Sequence, residues 1–203
     1  MMLQVETEND SARWLYKKLG FTEMGEIRDW RMNWFSLKTV ASNPPVSRNQ
    51  PDQYQDFKLR PLRSEDAQAA HALDQSVFPK VLNWPDSPKP AYFHRGLKSL
   101  LERVFIGVNH EVWVAENHKG QLVGIGIIEN ELGRPYNLKI RVHPDWVDLV
   151  ERPLLAKMTR RLRYMRSKTI TLQQDINQTS LEHLIREAGF GLKRNLTVMQ
   201  LDL

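Results

Sequence analysis

Apolar and polar positions alternate in short runs along most of this chain, and where they do not, leucines and alanines recur at helical spacing. Residues 57–62 (FKLRPL), 111–116 (EVWVAE), 121–129 (QLVGIGIIE), 136–142 (YNLKIRV), 169–173 and 193–203 (KRNLTVMQLDL) alternate with the period of a half-buried strand. The intervening Asn117-His118-Lys119-Gly120 is a hairpin turn signal. Residues 22–32 and 34–40 are rich in apolar and aromatic side chains and read as two further strands, with Trp30, Trp34 and Phe35 as packing residues. Helices are expected from Ser64, as a cap, onward, over 95–104 (RGLKSLLERV) and over 154–165 (LLAKMTRRLRYM). Pro79, Pro85, Pro88 and Pro90 make 78–92 irregular, and 41–56 (ASNPPVSRNQPDQYQD) has the composition of an extended linker.

One stretch occurs twice. Residues 3–21 (LQVETENDSARWLYKKLGF) return as 172–190 (LQQDINQTSLEHLIREAGF), 169 positions further on and without a gap. The copies agree at Leu3/Leu172, Gln4/Gln173, Ser11/Ser180, Leu15/Leu184, Gly20/Gly189 and Phe21/Phe190. Each reads as strand, polar turn, about three helical turns and a glycine stop, with Ser11 or Ser180 near the helix start and Gly20 or Gly189 suited to a left-handed end. Two strands and one helix cannot close a core alone, so the first copy is expected to dock on the rest.

The run Asn9 to Phe21 resembles the closing motif of the GNAT N-acetyltransferase superfamily, N-x-x-A-x-x-L-Y-x-x-x-G-F, through Asn9, Ala12, Leu15-Tyr16 and Gly20-Phe21. LRPLRSEDAQAA at 59–70 resembles the opening of the same domain, and Val114-Ala115-Glu116 with Gly120, Val123 and Gly124 resembles its V-A-E-x-x-G-x-x-V-G phrase. The resemblance implies an α/β fold with a mixed, mostly antiparallel central sheet and helices on both faces. It further implies a tandem: 1–40 as the C-terminal half of one unit, 41–56 as a linker and 57–203 as a complete unit. A chain that opens with a closing motif opens in mid-domain.

The function implied by the resemblance is transfer of an acetyl or other acyl group from acetyl-CoA to a primary amine, small molecule or peptide, by direct attack without an acyl-enzyme. In the family pattern, strand 136–142 splays from its neighbour to admit the pantetheine, and a Gly-rich loop at the next helix start receives the pyrophosphate on backbone N–H groups. Carried onto this chain, that assigns Arg141, Val142, Val150, Arg152 and Leu154 to the cofactor. Tyr16 becomes general acid and Asn9 a positioning group, Glu129 is the candidate base, and Tyr92, Phe93 and His94 fall on the acceptor side. The chain departs from the pattern in two places. Residues 146–155 (WVDLVERPLL) contain no glycine, so Leu149 and Glu151, or Val150 and Arg152, stand at the glycine positions, with Asp148 and Glu151 repelling an anion. In the second copy the motif tyrosine is Ile185, which cannot donate a proton. Gly124-Ile125-Gly126 lies mid-strand and predicts close packing rather than a phosphate loop.

Composition narrows the classes. Zero cysteines exclude disulfides and thiolate chemistry and suit a reducing cytoplasm. Apolar runs are too short to span a bilayer, and the six histidines lack metal-ligand spacing. The net charge of +5, with Lys157, Arg160, Arg161 and Arg163 on one helix, reads as a solvated basic face before it reads as a nucleic-acid site. Two functions stay open: a GNAT-type acyltransferase, whose first unit is completed from outside this sequence, for instance by a homodimer partner, and a non-catalytic GNAT-fold structural or interaction module.

Overall fold

The computed structural model describes residues 1–41, 57–79, 81–82, 90–93 and 108–201. The elements are β1 (Met2–Glu6), α1 (Asp10–Lys18), β2 (Thr22–Met32), β3 (Phe57–Pro61), α2 (Ala67–Val77), α3 (Pro90–Phe93), β4 (Val108–Asn117), β5 (Leu122–Glu131), β6 (Tyr136–Val142), α4 (Glu151–Leu162), β7 (Ile170–Asp175), α5 (Thr179–Glu187) and β8 (Gly191–Gln200). The eight strands form one sheet in the order β1-β8-β2-β7-β6-β5-β4-β3. All neighbours are antiparallel except β6 and β7. The expected α/β fold with a mostly antiparallel sheet is therefore observed.

The N-terminal segment docks by entering the sheet. β2 lies between β7 and β8, and β8 lies between β1 and β2. The pairing follows the repeat. Ile27 faces Leu196, its own counterpart 169 positions on, and the flanking pairs Glu26↔Thr197 and Arg28↔Asn195 are each other's images. Likewise Met2↔Gln200 through Glu6↔Leu196 reappear as Arg31↔Thr171 through Ile27↔Asp175. The two copies are thus related by a local two-fold between β2 and β8.

α4 and α5 cover one face of the sheet, packing Leu154, Leu155, Met158, Leu162, Leu184 and Ile185 against Trp30, Leu138, Ile140 and Leu172. α2 and Phe93 of α3 cover the other face through Ala70, Leu73, Ile125 and Ile127. α4 can settle on β5 because two positions there lack a side chain. A Cβ on Gly124 would stand 2.4 Å from Val150 Cγ1, and one on Gly126 would stand 2.8 Å from Met158 Sδ. The close packing expected of Gly124-Ile125-Gly126 is what these distances describe. Arg60 of β3 ties the start of α2 to β4: its guanidinium grips Asp66 at 2.6 and 2.9 Å and also bonds Glu116.

Several local expectations change. Residues 34–36 form a 3-10 turn rather than a strand, because Asn33 Oδ1 accepts from Phe35 N at 3.2 Å and Leu37 N closes on Trp34 O at 3.1 Å. The capping oxygen of α1 belongs to Asn9, which accepts from Ala12 N at 3.0 Å, so Ser11 lies inside the helix. Ser64 opens a 3-10 turn, where Asp66 rather than Ser64 accepts from Arg63 N. Gly20 and Gly189 do take left-handed φ values of +91° and +100°. The linker after residue 41, the expected helix over 95–104 and His94 lie outside the described residues. Among those residues no helix is long and apolar enough to cross a membrane.

Candidate functional site

β6 and β7 run side by side only from Tyr136↔Ile170 to Leu138↔Leu172. Beyond Leu138, β6 continues to pair with β5 alone, and beyond Leu172, β7 pairs with β2 alone. The strands separate, and a cavity of about 250 Å³ lies at the opening. Ile140 and Val142 of β6 supply its floor, Val147, Asp148 and Glu151 one wall, and residues 177–181 at the start of α5 the other. That second wall is braced from the N-terminal segment, since Trp30 Nε1 donates to Gln174 Oε1 at 2.8 Å and Gln174 Nε2 in turn bonds Gln178 O.

The wall before α4 is acidic and tightly built. Asp148 has φ +68°, the single non-glycine residue with positive φ among the described residues. Glu151 is the first residue of α4 and only 4% exposed. Its Oε1 accepts from Ser180 Oγ at 3.3 Å, whereas Oε2 is buried without a hydrogen-bond partner. Burial pushes the Glu151 carboxyl up from the usual carboxylate range, against the pull of the backbone N–H groups of Glu151 and Asp148. Across the cavity, Gln178 Oε1 is also buried without a partner.

Solved structures share the fold. A GCN5-related N-acetyltransferase from Sphaerobacter thermophilus superimposes with a TM-score of 0.56 at 16% identity, over 98% of this chain and 59% of that one. One from Kribbella flavida gives 0.57 at 11%, over 98% and 66%. A tandem GNAT protein from the clavulanic acid biosynthesis pathway gives 0.55 at 12%, over 98% and 63%. No family model matches the sequence, and no curated protein matches it.

The chain has the GNAT fold. It spans about two thirds or less of the length of these three solved chains.

The resemblance noted in the sequence implies an acetyl-CoA cleft between the splayed strands and the start of the next helix, and the side chains here do not fit a diphosphate. The start of α4 brings the Glu151 carboxylate to the cavity, and Asp148 adds a second acid. Pro153 has no N–H to give. Arg152, the cation that would offset these charges, is engaged in a two-bond pair with Glu187 at 3.0 and 2.9 Å.

The residues singled out from the sequence are dispersed. Of the five assigned to the cofactor, Val142 lines the cavity. Val150 and Leu154 are fully buried core residues over Gly124. Arg141 lies on the opposite face of the sheet, where its Nε donates to Asp74 Oδ1 at 3.1 Å and its guanidinium stacks 3.9 Å from the Phe78 ring. Burial lowers its pKa and Asp74 draws it back.

Glu129 is on that face too, receiving Tyr92 Oη at 2.5 Å, Asn137 Nδ2 at 2.7 Å and Lys139 Nζ at 2.9 Å. Burial works to raise its pKa, but the Lys139 ammonium and these donors hold it below the usual carboxylate range, which makes it a weak base. Phe93 is core, and Tyr92 stacks on His110 with ring centroids 4.3 Å apart. Asn9 caps α1 and Tyr16 stands on it, packed beside the outermost strand β1 and edge-on to Phe21 at 5.7 Å. The sequence reading missed Asp74 and the Ser180–Glu151 contact. The pairing of Ser180 with its image Ser11 in the repeat drew attention to capping instead.

Proposed function

We propose that the protein serves acyl transfer from acetyl-CoA or a related acyl-CoA to a primary amine, as two related units: 1–40 the C-terminal half of one, 41–56 a linker and 57–203 the other. The observation that supports this most directly is the shared register of β1 on β8 and β2 on β7, which makes β1–α1–β2 the counterpart of β7–α5–β8. β7 meets its splayed neighbour β6 on the side that corresponds to the outer edge of β1. The transfer centre in this reading belongs to the β1 edge, where a second copy of this chain completes it.

Acyl-CoA supplies an activated acyl group there. Of this chain's own residues, Tyr16 carries the transferable proton and Asn9, by capping α1, fixes the helix that presents it. Unit 57–203 acts as the structural partner, its own cleft closed to a diphosphate by Asp148 and Glu151.

The test combines melting of the purified 203-residue protein with and without saturating acetyl-CoA and release of free CoA in the presence of mixed primary amines. Acetyl-CoA is expected to raise the melting temperature by mass action. Tyr16→Phe is expected to cut CoA release by about a hundredfold or more. A second reading, a non-catalytic interaction module, is favoured by the acidic cleft and by Ile185 in place of tyrosine. An unchanged melting temperature and no CoA release would establish that reading in place of the first.

A further inference from the structure

The two edges of the sheet differ. β3 ends it on one side and carries Lys58 and Pro61, a charge and a missing N–H that discourage a further strand. β1 ends it on the other side with Met2-Leu3-Gln4-Val5-Glu6, which has no lysine and no proline and runs along β8 without a bulge. No described strand pairs with its outer side. An edge of that kind is a template for another chain.

The helix beside that edge is uncovered as well, and the repeat supplies the comparison. α5 buries Leu184 and Ala188, 8% and 0% exposed, in the cluster that α4 closes. Its flank is fastened to α4 by the Ser180–Glu151 bond and the Glu187–Arg152 pair. The equivalent positions of α1 hold Leu15 and Leu19, which are 50% and 60% exposed, and no residue of α1 is buried. Trp14, 58% exposed, extends the same surface, with Lys18 Nζ 3.9 Å above its ring. Single exposed leucines are ordinary, but three large apolar side chains together on one short helix beside an unpaired strand mark an interface.

The charge layout of α1 selects the occupant. Asp10 lies in its first turn, and Lys17 and Lys18 lie in its last. A second α1 laid antiparallel on the first brings acid to base at both ends and opposes the two helix dipoles, whereas a parallel one would set like charges together. Antiparallel pairing is what a two-fold axis imposes on two copies of one edge, and it closes on itself. Pairing β1 with β3 of another copy would instead leave an open chain of molecules. We propose that two copies of this protein join edge to edge about a two-fold axis, β1 to β1 antiparallel, with the Trp14, Leu15 and Leu19 face of each α1 packed on that of the partner subunit. This mode of docking rests on the reading that a second copy completes the β1 edge, and assembly and CoA release test the two separately.

Sedimentation velocity of the full 203-residue protein at micromolar concentration is expected to give a dimer, twice 23.8 kDa. Leu15→Glu with Leu19→Glu, at positions outside the core, is expected to weaken dimerisation by at least about a hundredfold and to leave the circular dichroism spectrum unchanged. Asp10→Lys and Lys18→Asp are each expected to weaken it several-fold, and together to restore it. The chain has no cysteine, so Leu15→Cys offers a single thiol, which a short bismaleimide is expected to join to its counterpart in the dimer. Lys58→Cys on the β3 edge is expected to stay unlinked. A monomeric wild type, a dimer that the paired glutamate variant leaves unchanged, or linkage through Lys58→Cys in preference to Leu15→Cys would each overturn the proposal. A dimer broken by these α1 variants that releases no CoA supports the interface and removes acyl transfer, whereas a monomer that releases CoA removes the interface and keeps acyl transfer.

Discussion

Ile27 and Leu196 face one another across the β2–β8 ladder, and each is the other's equivalent in the sequence repeat. Both are buried, in one cluster with Val198, Phe78 and Leu82. The residue at the centre of the local symmetry is therefore also the residue where the N-terminal segment enters the core. Ile27→Ala or Leu196→Ala is expected to cost about 2–5 kcal/mol each by cavity formation. Because the side chains share one cavity, the double variant is expected to depart from the sum, which a double-mutant cycle in urea measures.

The same pairing predicts the fate of a truncation. Removing residues 1–40 takes β2 from between β7 and β8 and strips Trp30 from Gln174. Both strands then lose a ladder partner on a buried side, and their backbone groups lose their acceptors. The fragment 41–203 is expected to be insoluble or molten, with collapsed amide dispersion in its nitrogen–proton spectrum. A well-dispersed spectrum from that fragment would show instead that the unit is self-sufficient.

This embedding explains what the sequence made legible and what it concealed. Period-two runs located β3 to β8, and the glycine stops at Gly20 and Gly189 came out left-handed because a strong local signal needs no tertiary help. The exchange of β2 and β8 is a pairing between residues far apart in the chain, and periodicity carries no information about partners. The repeat offset held it, but only once both copies are placed in one sheet. Residues 34–36 misled for the opposite reason: aromatic content suggested a strand, while the side chain of Asn33 bent the backbone into a turn. In the cleft, the missing glycines were plain in the sequence, whereas the isolation of Glu151 Oε2 depends on what faces it.

Packing of α4 on β5 rests on Gly124. Its absent Cβ would fall 2.4 Å from Val150 Cγ1, so Gly124→Ala is expected to destabilise by about 1–3 kcal/mol through overpacking. Gly126→Ala is expected to cost less, since the atom it meets is the Sδ of a flexible methionine, Met158, at 2.8 Å. Val150→Ala combined with Gly124→Ala is expected to recover part of the loss, and thermal melts of the four proteins test the ordering.

Arg141 and Asp74 join β6 to α2 as an ion pair whose side chains are 3% and 0% exposed. Removing the cation alone leaves a carboxylate in an apolar layer. Arg141→Met is therefore expected to cost about 3–5 kcal/mol, measured by urea denaturation, while Arg141→Met with Asp74→Leu is expected to regain much of it. A single-variant cost near zero would mean that the pair is more solvated than its burial indicates.

Glu151 gives the protein a distinctive response to pH. Burial raises its folded-state pKa above that of the unfolded chain, so the folded state holds this proton more tightly. In the window from the usual glutamate value, about 4, up to the raised value, the folded state binds more protons than the unfolded state, and stability falls as pH increases. Below that window the contribution is fully present, and above it the ionised, half-satisfied carboxylate is a standing cost. Glu151→Gln removes the titration while keeping the volume. The variant is expected to melt higher than wild type at neutral pH, with the difference shrinking as the pH is lowered toward about 4. Melting curves of both proteins across that range measure the crossing. A variant that melts lower than wild type at neutral pH would mean that the Glu151 charge is stabilised by the α4 N-terminus more than it is penalised by burial.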